Sequence, residues 1–308
     1  MKVAISGVSS RLASGLVPLL ESDESISEIL GIDIKEPDYN HSKLRFIKKD
    51  VRDKSLIEDL KDYDAVIHLA FVVDPPLPKD TYSINIEGSK NFFDCAIKAG
   101  VKKIIYTSSI AAYGSFPDNP VLINESHPVR LMRYHYFYNE TKYIVEKHLD
   151  ELEKQNPDIT ITCFRPCIIL TGVGSLPITI NNWLVNHAIN VKMQFIWIDD
   201  LVKAFYLALK KDAHGAFNLA GDNPLSWREI AEKIGMKSLK LPYRFTLFLT
   251  ILTHKLKLQK LLLPGLLRIS RYPITVDTSK AKLHLGWTPK YDTLGAVIKN
   301  NQAIQYNK

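Results

Sequence analysis

Lys2-Val3-Ala4-Ile5-Ser6-Gly7-Val8-Ser9-Ser10-Arg11-Leu12-Ala13 is an apolar run that breaks at a glycine and passes into a helical pattern over Leu12–Leu20. The rhythm then repeats. Strand-like runs at Lys2–Ser6, Glu28–Asp33, Arg45–Lys48, Ala65–Leu69, Lys103–Ser108 and Ile159–Arg165 alternate with helix-like segments at Leu12–Leu20, Ser55–Leu60, Tyr82–Ala99 and Tyr134–Glu153. Several runs, such as Ala65-Val66-Ile67-His68-Leu69, are apolar on both faces. Parallel strands covered by helices on both sides need that pattern. Strand and helix in alternation imply right-handed crossovers, and so an α/β fold with a doubly wound parallel sheet.

After Arg165 the rhythm changes. A Gly/Pro-punctuated stretch, Thr171 to Pro177, leads to a helix-like segment near Ile180–Asn190. Gln194-Phe195-Ile196-Trp197-Ile198 reads as a buried strand, Asp199–Lys211 as a helix, and Gly215–Gly221 as a strand ending in a turn. The remainder is mostly helical in pattern. The expected division is therefore 1–165, binding a cofactor, and 166–308, a smaller helical lobe facing substrate. Segments near 194–220 are expected to return to the main sheet.

Bulk composition narrows the classes. The 308 residues, 46% hydrophobic and 24% charged, suit a soluble globular protein. The net charge is +7, with a local excess between Lys240 and Arg271. No zinc-ligand spacing, basic helix run or aromatic-rich strand accompanies it, so neither nucleic acid nor a metal is an expected ligand. Cys95, Cys163 and Cys167 lie in apolar runs, an odd number that reads as reduced core thiols in a cytoplasmic protein. The N-terminus runs straight into a strand, so no signal peptide is expected. The longest apolar stretch, Phe245 to Thr253, is shorter than the roughly 20 residues a transmembrane helix needs.

The opening turn carries the first chemical signal. A strand-to-helix turn aims backbone N–H groups and a helix N-terminus at a pyrophosphate, the Rossmann-like arrangement. Of the usual three glycines only Gly7 is present, with Ser10 and Ala13 at the other two places. If Ser10 needed a positive φ, its side chain would cost on the order of 1 kcal/mol, which a hydroxyl donated to phosphate would offset. Asp33 ends the second strand, where a carboxylate accepts from both hydroxyls of an adenosine ribose and repels a 2′-phosphate. Gly7, Ser10, Arg11, Leu12 and Asp33 are therefore expected to hold a dinucleotide. Asp33 favours NAD, while the Arg11 guanidinium leaves NADP open.

Tyr-x-x-x-Lys puts a phenol and an ammonium one helical turn apart, and a neighbouring cation favours the phenolate. Such a phenol exchanges a proton with a secondary alcohol or ketone. Tyr39, Tyr138, Tyr143 and Tyr206 all have lysine at +4. Tyr39 lies in a polar loop, and Tyr206 follows a late strand with no hydroxyl-ended strand before it. Tyr138 and Tyr143 share a helix. Tyr138 aligns with Lys142, Val145, Leu149 and Leu152, whereas Tyr143 aligns with Lys147, Asp150 and Lys154. Tyr138 is thus the inward one. The strand before this helix ends in Thr107-Ser108-Ser109, and Ser109 is placed to orient a reacting oxygen. Ser109, Tyr138 and Lys142 are the candidate catalytic residues.

Together these features resemble the extended short-chain dehydrogenase/reductase superfamily, also called the NAD-dependent epimerase/dehydratase family. The resemblance includes Asp50-Val51-Arg52-Asp53, His68-Leu69-Ala70, Asn85-Ile86-Glu87-Gly88-Ser89, Arg165-Pro166, Ile196-Trp197-Ile198-Asp199-Asp200 and Leu285-Gly286-Trp287-Thr288-Pro289. It implies that Asp50 and Val51 hold the adenine and that Leu69 and Ala70 line the dinucleotide. Lys142 would also bind the nicotinamide ribose, with Pro166 and Cys167 beside the nicotinamide. Asn85 would support the strand carrying Ser109, and the subunit would form a homodimer through two helices, one of them carrying Tyr138.

The departures bear on substrate. Ser109 is followed by Ile110-Ala111 instead of the acidic pair of family dehydratases, so dehydration is not expected. Cys167-Ile168-Ile169-Leu170 lacks the asparagine common in nucleotide-sugar enzymes after Arg-Pro, and Met193-Gln194 stands where they often have arginine. Between Lys240 and Tyr272 a run of Leu, Phe and Ile is interrupted by Arg244, Lys255, Lys257, Lys260, Arg268 and Arg271, which fits closing helices, a lipophilic pocket or a basic surface touching membrane. The expected activity is oxidoreduction of a small or lipophilic secondary alcohol or ketone. The alternatives are nucleotide-sugar 4-epimerisation or reduction, and a non-catalytic NAD(P) sensor.

Overall fold

The computed structural model describes residues 1–73, 77–132, 137–173, 179–180, 183–256, 267 and 271–306. In chain order the first half comprises β1 (Lys2–Ser6), α1 (Arg11–Glu21), β2 (Glu28–Asp33), β3 (Leu44–Lys48), α2 (Leu56–Asp59), β4 (Ala65–His68), α3 (Ser89–Lys98), β5 (Lys103–Thr107), α4 (Phe137–Gln155) and β6 (Thr160–Pro166). A wide helical turn, Ser83–Gly88, leads into α3, and a short 3₁₀ turn, Ile110–Tyr113, follows β5. The second half adds β7 (Ile168–Leu170), β8 (Thr179–Ile180), β9 (Trp183–Asn186), β10 (Lys192–Met193), β11 (Phe195–Trp197), α5 (Ile198–Lys210), β12 (Gly215–Leu219), β13 (Leu225–Ser226), α6 (Trp227–Lys233), β14 (Lys237–Lys240), α7 (Tyr243–Lys255) and α8 (Thr293–Tyr306).

Seven strands form one parallel sheet in the order β12-β6-β5-β4-β1-β2-β3. Alternate side chains of each strand feed separate cores on its two faces. Val3 and Ile5 pack with α1 and α5, whereas Ala4 packs with Phe92 and Phe93 of α3 and Val145 and Leu149 of α4. This two-sided burial is the physical reason the strands read as continuous apolar runs. The doubly wound parallel fold expected from the alternation is the observed one.

Near residues 194–220, β12 is the edge strand of the main sheet, and β11 pairs with β7 in a separate two-stranded ladder. The helix expected near Ile180–Asn190 is not formed. Thr179–Ile180 and Trp183–Asn186 are strands instead, joined in a three-stranded sheet with β14. A short apolar run fits either period, and the distant partner Lys237–Lys240 decides for strand. Tyr134–Tyr136 of the predicted α4, Gly174–Pro177 and residues 257–266 and 268–270 of the apolar basic run lie outside the described residues.

The late Gly286-Trp287 motif acts as a latch. Fully buried Trp287 donates its Nε1–H to the Asp200 carbonyl at 2.7 Å, and the Asp200 carboxylate accepts from Lys290 N–H at 2.8 Å. The C-terminal segment is thereby tied to the start of α5. Cys95, Cys163 and Cys167 are free, buried thiols.

Candidate active site

β1 and β4 are neighbours, yet the chain leaves β1 toward β2 and β4 toward β5. Their carboxyl ends open a crevice, the usual ligand site of an open parallel sheet. Gly7 turns there with φ +74°, and a Cβ on it would lie 2.5 Å from the Ala70 nitrogen and 2.7 Å from the Leu69 carbonyl carbon. Only glycine lets the turn pass so close to the Leu69-Ala70 backbone. Leu69 is itself anchored, its N–H donating to the Ser6 carbonyl at 3.0 Å.

Ser10 departs from the expectation of a strained position. It is extended (φ −75°, ψ 154°) and caps α1, its hydroxyl accepting from Ala13 N–H at 3.3 Å. A cap needs a short polar side chain and no left-handed backbone, so serine here carries no penalty. The first turn of α1 contains no acidic residue, which leaves its positive end open to an anion. Leu12 is half-buried against the core. Asp33 accepts from Ser9 N–H at 3.0 Å and Lys35 N–H at 3.2 Å, so its carboxylate borders the same turn. Arg11 points elsewhere, to the Thr171 carbonyl at 3.3 Å.

Asp50 is clasped by Arg52, Nε to Oδ1 at 2.9 Å and Nη2 to Oδ2 at 2.7 Å, and these bonds hold its carboxyl below the usual range. Buried Val51 packs against Gly88, where a Cβ would come within 2.6 Å of Val51 Cγ2. Asn85 does not reach the strand carrying Ser109. Its amide exchanges two hydrogen bonds with the Val72 backbone, at 2.8 and 2.9 Å, and so braces the segment after Leu69-Ala70. The turn before α3 aims it at the β4 loop, not at β5. Pro166 and Cys167 are buried at the end of β6, and Cys167 N–H donates to the Leu219 carbonyl.

Tyr138 and Lys142 stand one turn apart at the start of α4. Val145, Leu149 and Leu152 on their face are buried, while Lys147 and Lys154 are exposed, as the periodicity predicts. Lys142 is 2% exposed. Its Nζ donates to the Thr107 carbonyl at 2.7 Å and the Tyr106 hydroxyl at 3.2 Å, and lies 3.4 Å from the Phe71 ring centre and 5.7 Å from that of Tyr138. Burial pulls this ammonium down to about 7, opposed by Cys163 and Glu146. Phe71 meets Tyr138 edge-on, at 6.2 Å between centroids. Ser109 is buried at the start of the 3₁₀ turn, its Oγ accepting from Ala111 N–H at 3.1 Å. The other tyrosines are engaged differently: Tyr206 bonds Asp23 and Tyr39 bonds the Val8 carbonyl.

Three further side chains hold this arrangement, and sequence reasoning gave them no role. Fully buried Asn139 donates to the Ala111 and Arg130 carbonyls at 2.7 and 3.1 Å and accepts from Met132 N–H at 2.9 Å, joining the Ser109 turn to the first turn of α4. Glu146, one turn beyond Lys142, forms a buried bidentate pair with Arg165, with Nη2 to Oε2 at 2.6 Å. Ser108 donates to the same carboxylate, and Arg165 donates to the Tyr113 hydroxyl at 2.8 Å. Burial opposes the charge on Arg165 most strongly, but the Glu146 carboxylate together with Tyr113 and Cys163 outweighs it and keeps the guanidinium protonated. A glutamate on the apolar face of α4 and an arginine in a buried strand were the available signal, because buried charges come in pairs. The Thr107 hydroxyl oxygen is buried at the same edge with no hydrogen-bond partner among the described residues.

Comparison with known proteins agrees with this geometry. The chain is 26% identical over 295 residues to the uncharacterized protein y4nG of Sinorhizobium fredii, covering 90% of this chain and 72% of that one. It is 34% identical over 124 residues to the N-acetyl-alpha-D-glucosaminyl-diphospho-ditrans,octacis-undecaprenol 4-epimerase of Escherichia coli O157:H7, covering 39% of this chain and 36% of the relative. Among solved structures it shares the fold of the dTDP-glucose 4,6-dehydratase DesIV of Streptomyces venezuelae, crystallised with NAD (TM-score 0.76, 17% identity, 100% and 98% of the two chains). It shares it equally with the UDP-glucose 4-epimerase of Thermotoga maritima, crystallised with UDP-glucose (TM-score 0.75, 19% identity, 100% of both chains). Residues 3–220 match the model of one family, and the chain belongs to it: the NAD dependent epimerase/dehydratase family.

Proposed function

We propose that this protein carries out hydride chemistry at a secondary alcohol or ketone, with Tyr138 as the acid/base. The observation that carries the reading is Lys142, a buried ammonium one helical turn from Tyr138 at the carboxyl edge of the sheet. Its positive charge lowers the cost of forming the Tyr138 phenolate, so the phenol takes a proton from an alcohol or returns one to a ketone. Ser109, fixed by the Asn139 clasp, orients the reacting oxygen.

NAD fits the residues present. Gly7 lets the turn lie tight against the Leu69-Ala70 backbone, α1 offers an N-terminus without acid, and the Thr107 hydroxyl has no hydrogen-bond partner among the described residues. The pyrophosphate would lie on Gly7, Ser10, Arg11 and Leu12, the adenosine on Asp33, Asp50 and Val51, and the nicotinamide end along Leu69, Ala70, Lys142, Pro166 and Cys167. Bound there, NAD supplies the hydride acceptor or donor. The orientation of Arg11 toward the Thr171 carbonyl supports NAD over NADP, because this guanidinium is then turned away from Asp33. The boundary near residue 165 and the homodimer belong to the same proposal.

The substrate we propose is a lipophilic alcohol or ketone. Gln194 is spent on Gly221 and Val276, which supports weak handling of a nucleotide diphosphate. A second reading, epimerisation of a sugar through a transient ketone, is favoured by the names of the relatives. The two meet in a sugar carried on a polyprenol, as named for the E. coli relative.

Tyr138→Phe tests the mechanism. Turnover, followed at 340 nm with secondary alcohols or by chromatography of epimerised sugars, should be abolished. The rise in melting temperature on adding NAD should persist. A variant that turns over like the parent refutes the assignment.

A further inference from the structure

Helix α7 (Tyr243–Lys255) is amphipathic in the inverted sense. Thr246 and Thr250 face inward at 9% and 4% exposure, while Phe245, Phe248 and Leu252 stand 50%, 61% and 40% exposed. Leu249 and, just past the helix end, Leu256 are also exposed. These five positions follow i, i+3, i+4, i+7 and i+11, one continuous stripe. The buried Thr246 hydroxyl donates back along the chain, to the Pro242 carbonyl at 3.0 Å. A helix serving only its own core turns such a stripe inward. An exposed apolar stripe of this length marks an interaction surface.

The charge of the sequence on either side of α7 identifies the partner. Between Lys233 and Val276 there are nine Lys or Arg and no Asp or Glu. The whole chain has 40 Lys+Arg and 33 Asp+Glu, which leaves 31 against 33 elsewhere, so the entire positive excess of the protein lies in this segment. Strand β14, which leads into α7, continues the pattern with exposed Lys237, Leu239 and Lys240, and Lys237 lies 5.3 Å from the ring centre of half-exposed Trp183. Apolar side chains flanked by cations and indole are suited to the boundary between lipid headgroups and acyl chains. Protein interfaces, by contrast, exclude lysine from their centres. At 13 residues α7 is too short to cross a bilayer, and no described helix is long and apolar enough to do so.

We propose that α7, with Arg244 and the exposed lysines of β14, docks this protein, in plane, on an anionic phospholipid bilayer. The inference rests on the exposed stripe and its charge, and not on the catalytic reading above. Docking would bring the substrate lobe to a surface from which a lipophilic substrate is taken up.

Co-sedimentation with vesicles tests it, using phosphatidylcholine alone against an equal mixture with phosphatidylglycerol. The protein should pellet with the anionic vesicles and not with the neutral ones, and high salt should release it. Phe248→Asp and Leu252→Asp should each weaken binding about tenfold or more, the loss expected when one large apolar side chain no longer enters the interface. Both positions are exposed, so the thermal unfolding curves should match the parent. Absence of binding, equal binding to neutral vesicles, or variants that bind like the parent would overturn the proposal. So would sedimentation velocity showing the stripe closed on a second copy, in a dimer that Phe248→Asp dissolves.

Discussion

Replacing Arg165 by Met probes the brace that fixes the catalytic helix. The guanidinium makes two hydrogen bonds to Glu146 Oε2, at 3.0 and 2.6 Å, and one to the Tyr113 hydroxyl at 2.8 Å. With side chains 8% and 3% exposed, neither member of the ion pair has water to fall back on. Methionine fills most of the volume but leaves the Glu146 carboxylate with the Ser108 hydroxyl as its remaining donor among the described bonds. Breaking a buried pair from one side costs about 3–5 kcal/mol, because a charge stays buried without its counter-ion. At roughly 2 °C per kcal/mol for a chain of this size, the melting temperature should fall by roughly 6–10 °C. Urea unfolding at neutral pH measures the same loss directly. The double variant Glu146→Leu with Arg165→Met removes both charges and should recover most of it, since replacing both members by apolar groups is close to neutral. A single variant within about 1 kcal/mol of the parent would refute the reasoning. So would a double variant worse than the single one.

Further outcomes follow from the same geometry. Gly7→Ala must move the Leu69-Ala70 backbone and adopt a left-handed φ, so it should lose at least about 1–2 kcal/mol of stability and abolish the thermal shift produced by NAD. A normal shift would count against the cofactor placement. His68, buried between Ser6 and Ser89 and stacked near Phe92, is pulled down to about 3 by burial and by Lys142. Its neutral form is bound by the fold, so the unfolded chain takes up the proton first. Stability should be full above about pH 6.5 and fall by up to about 1.4 kcal/mol per unit as pH drops toward 3. His68→Gln should flatten that slope in urea titrations, and an unchanged slope would assign it to other groups. Asn139→Asp sets an acceptor against the Ala111 and Arg130 carbonyls and should cost about 2–3 kcal/mol. It should also depress turnover more than NAD affinity, because it loosens the Ser109 turn; equal losses in both would mark it as structural only.

Much of this protein is legible without coordinates because helix and strand periods are local. The two-faced apolar strands announced a covered parallel sheet, Gly7 announced a tight turn at the end of β1, and the face of α4 separated Tyr138 from Tyr143. The strand pair at Thr179–Ile180 and Trp183–Asn186 was not legible, because its deciding partner is β14, some 50 residues away. The Ser10 cap, the Asn85 brace on Val72 and the Asn139 clasp were hidden for a related reason. A side chain's type gives its hydrogen-bonding capacity, but only the fold decides which distant carbonyl or amide it meets. The Glu146–Arg165 pair shows the two levels together: its charges were visible in apolar segments but carried no assigned role, and their pairing across 19 residues needed the packing of α4 on β6. In α7 the same division holds. Sequence alone determined that a stripe of Phe and Leu exists amid unopposed cations. Which side of that helix meets water was decided by the tertiary structure, because burial is a property of the surroundings and not of the residue.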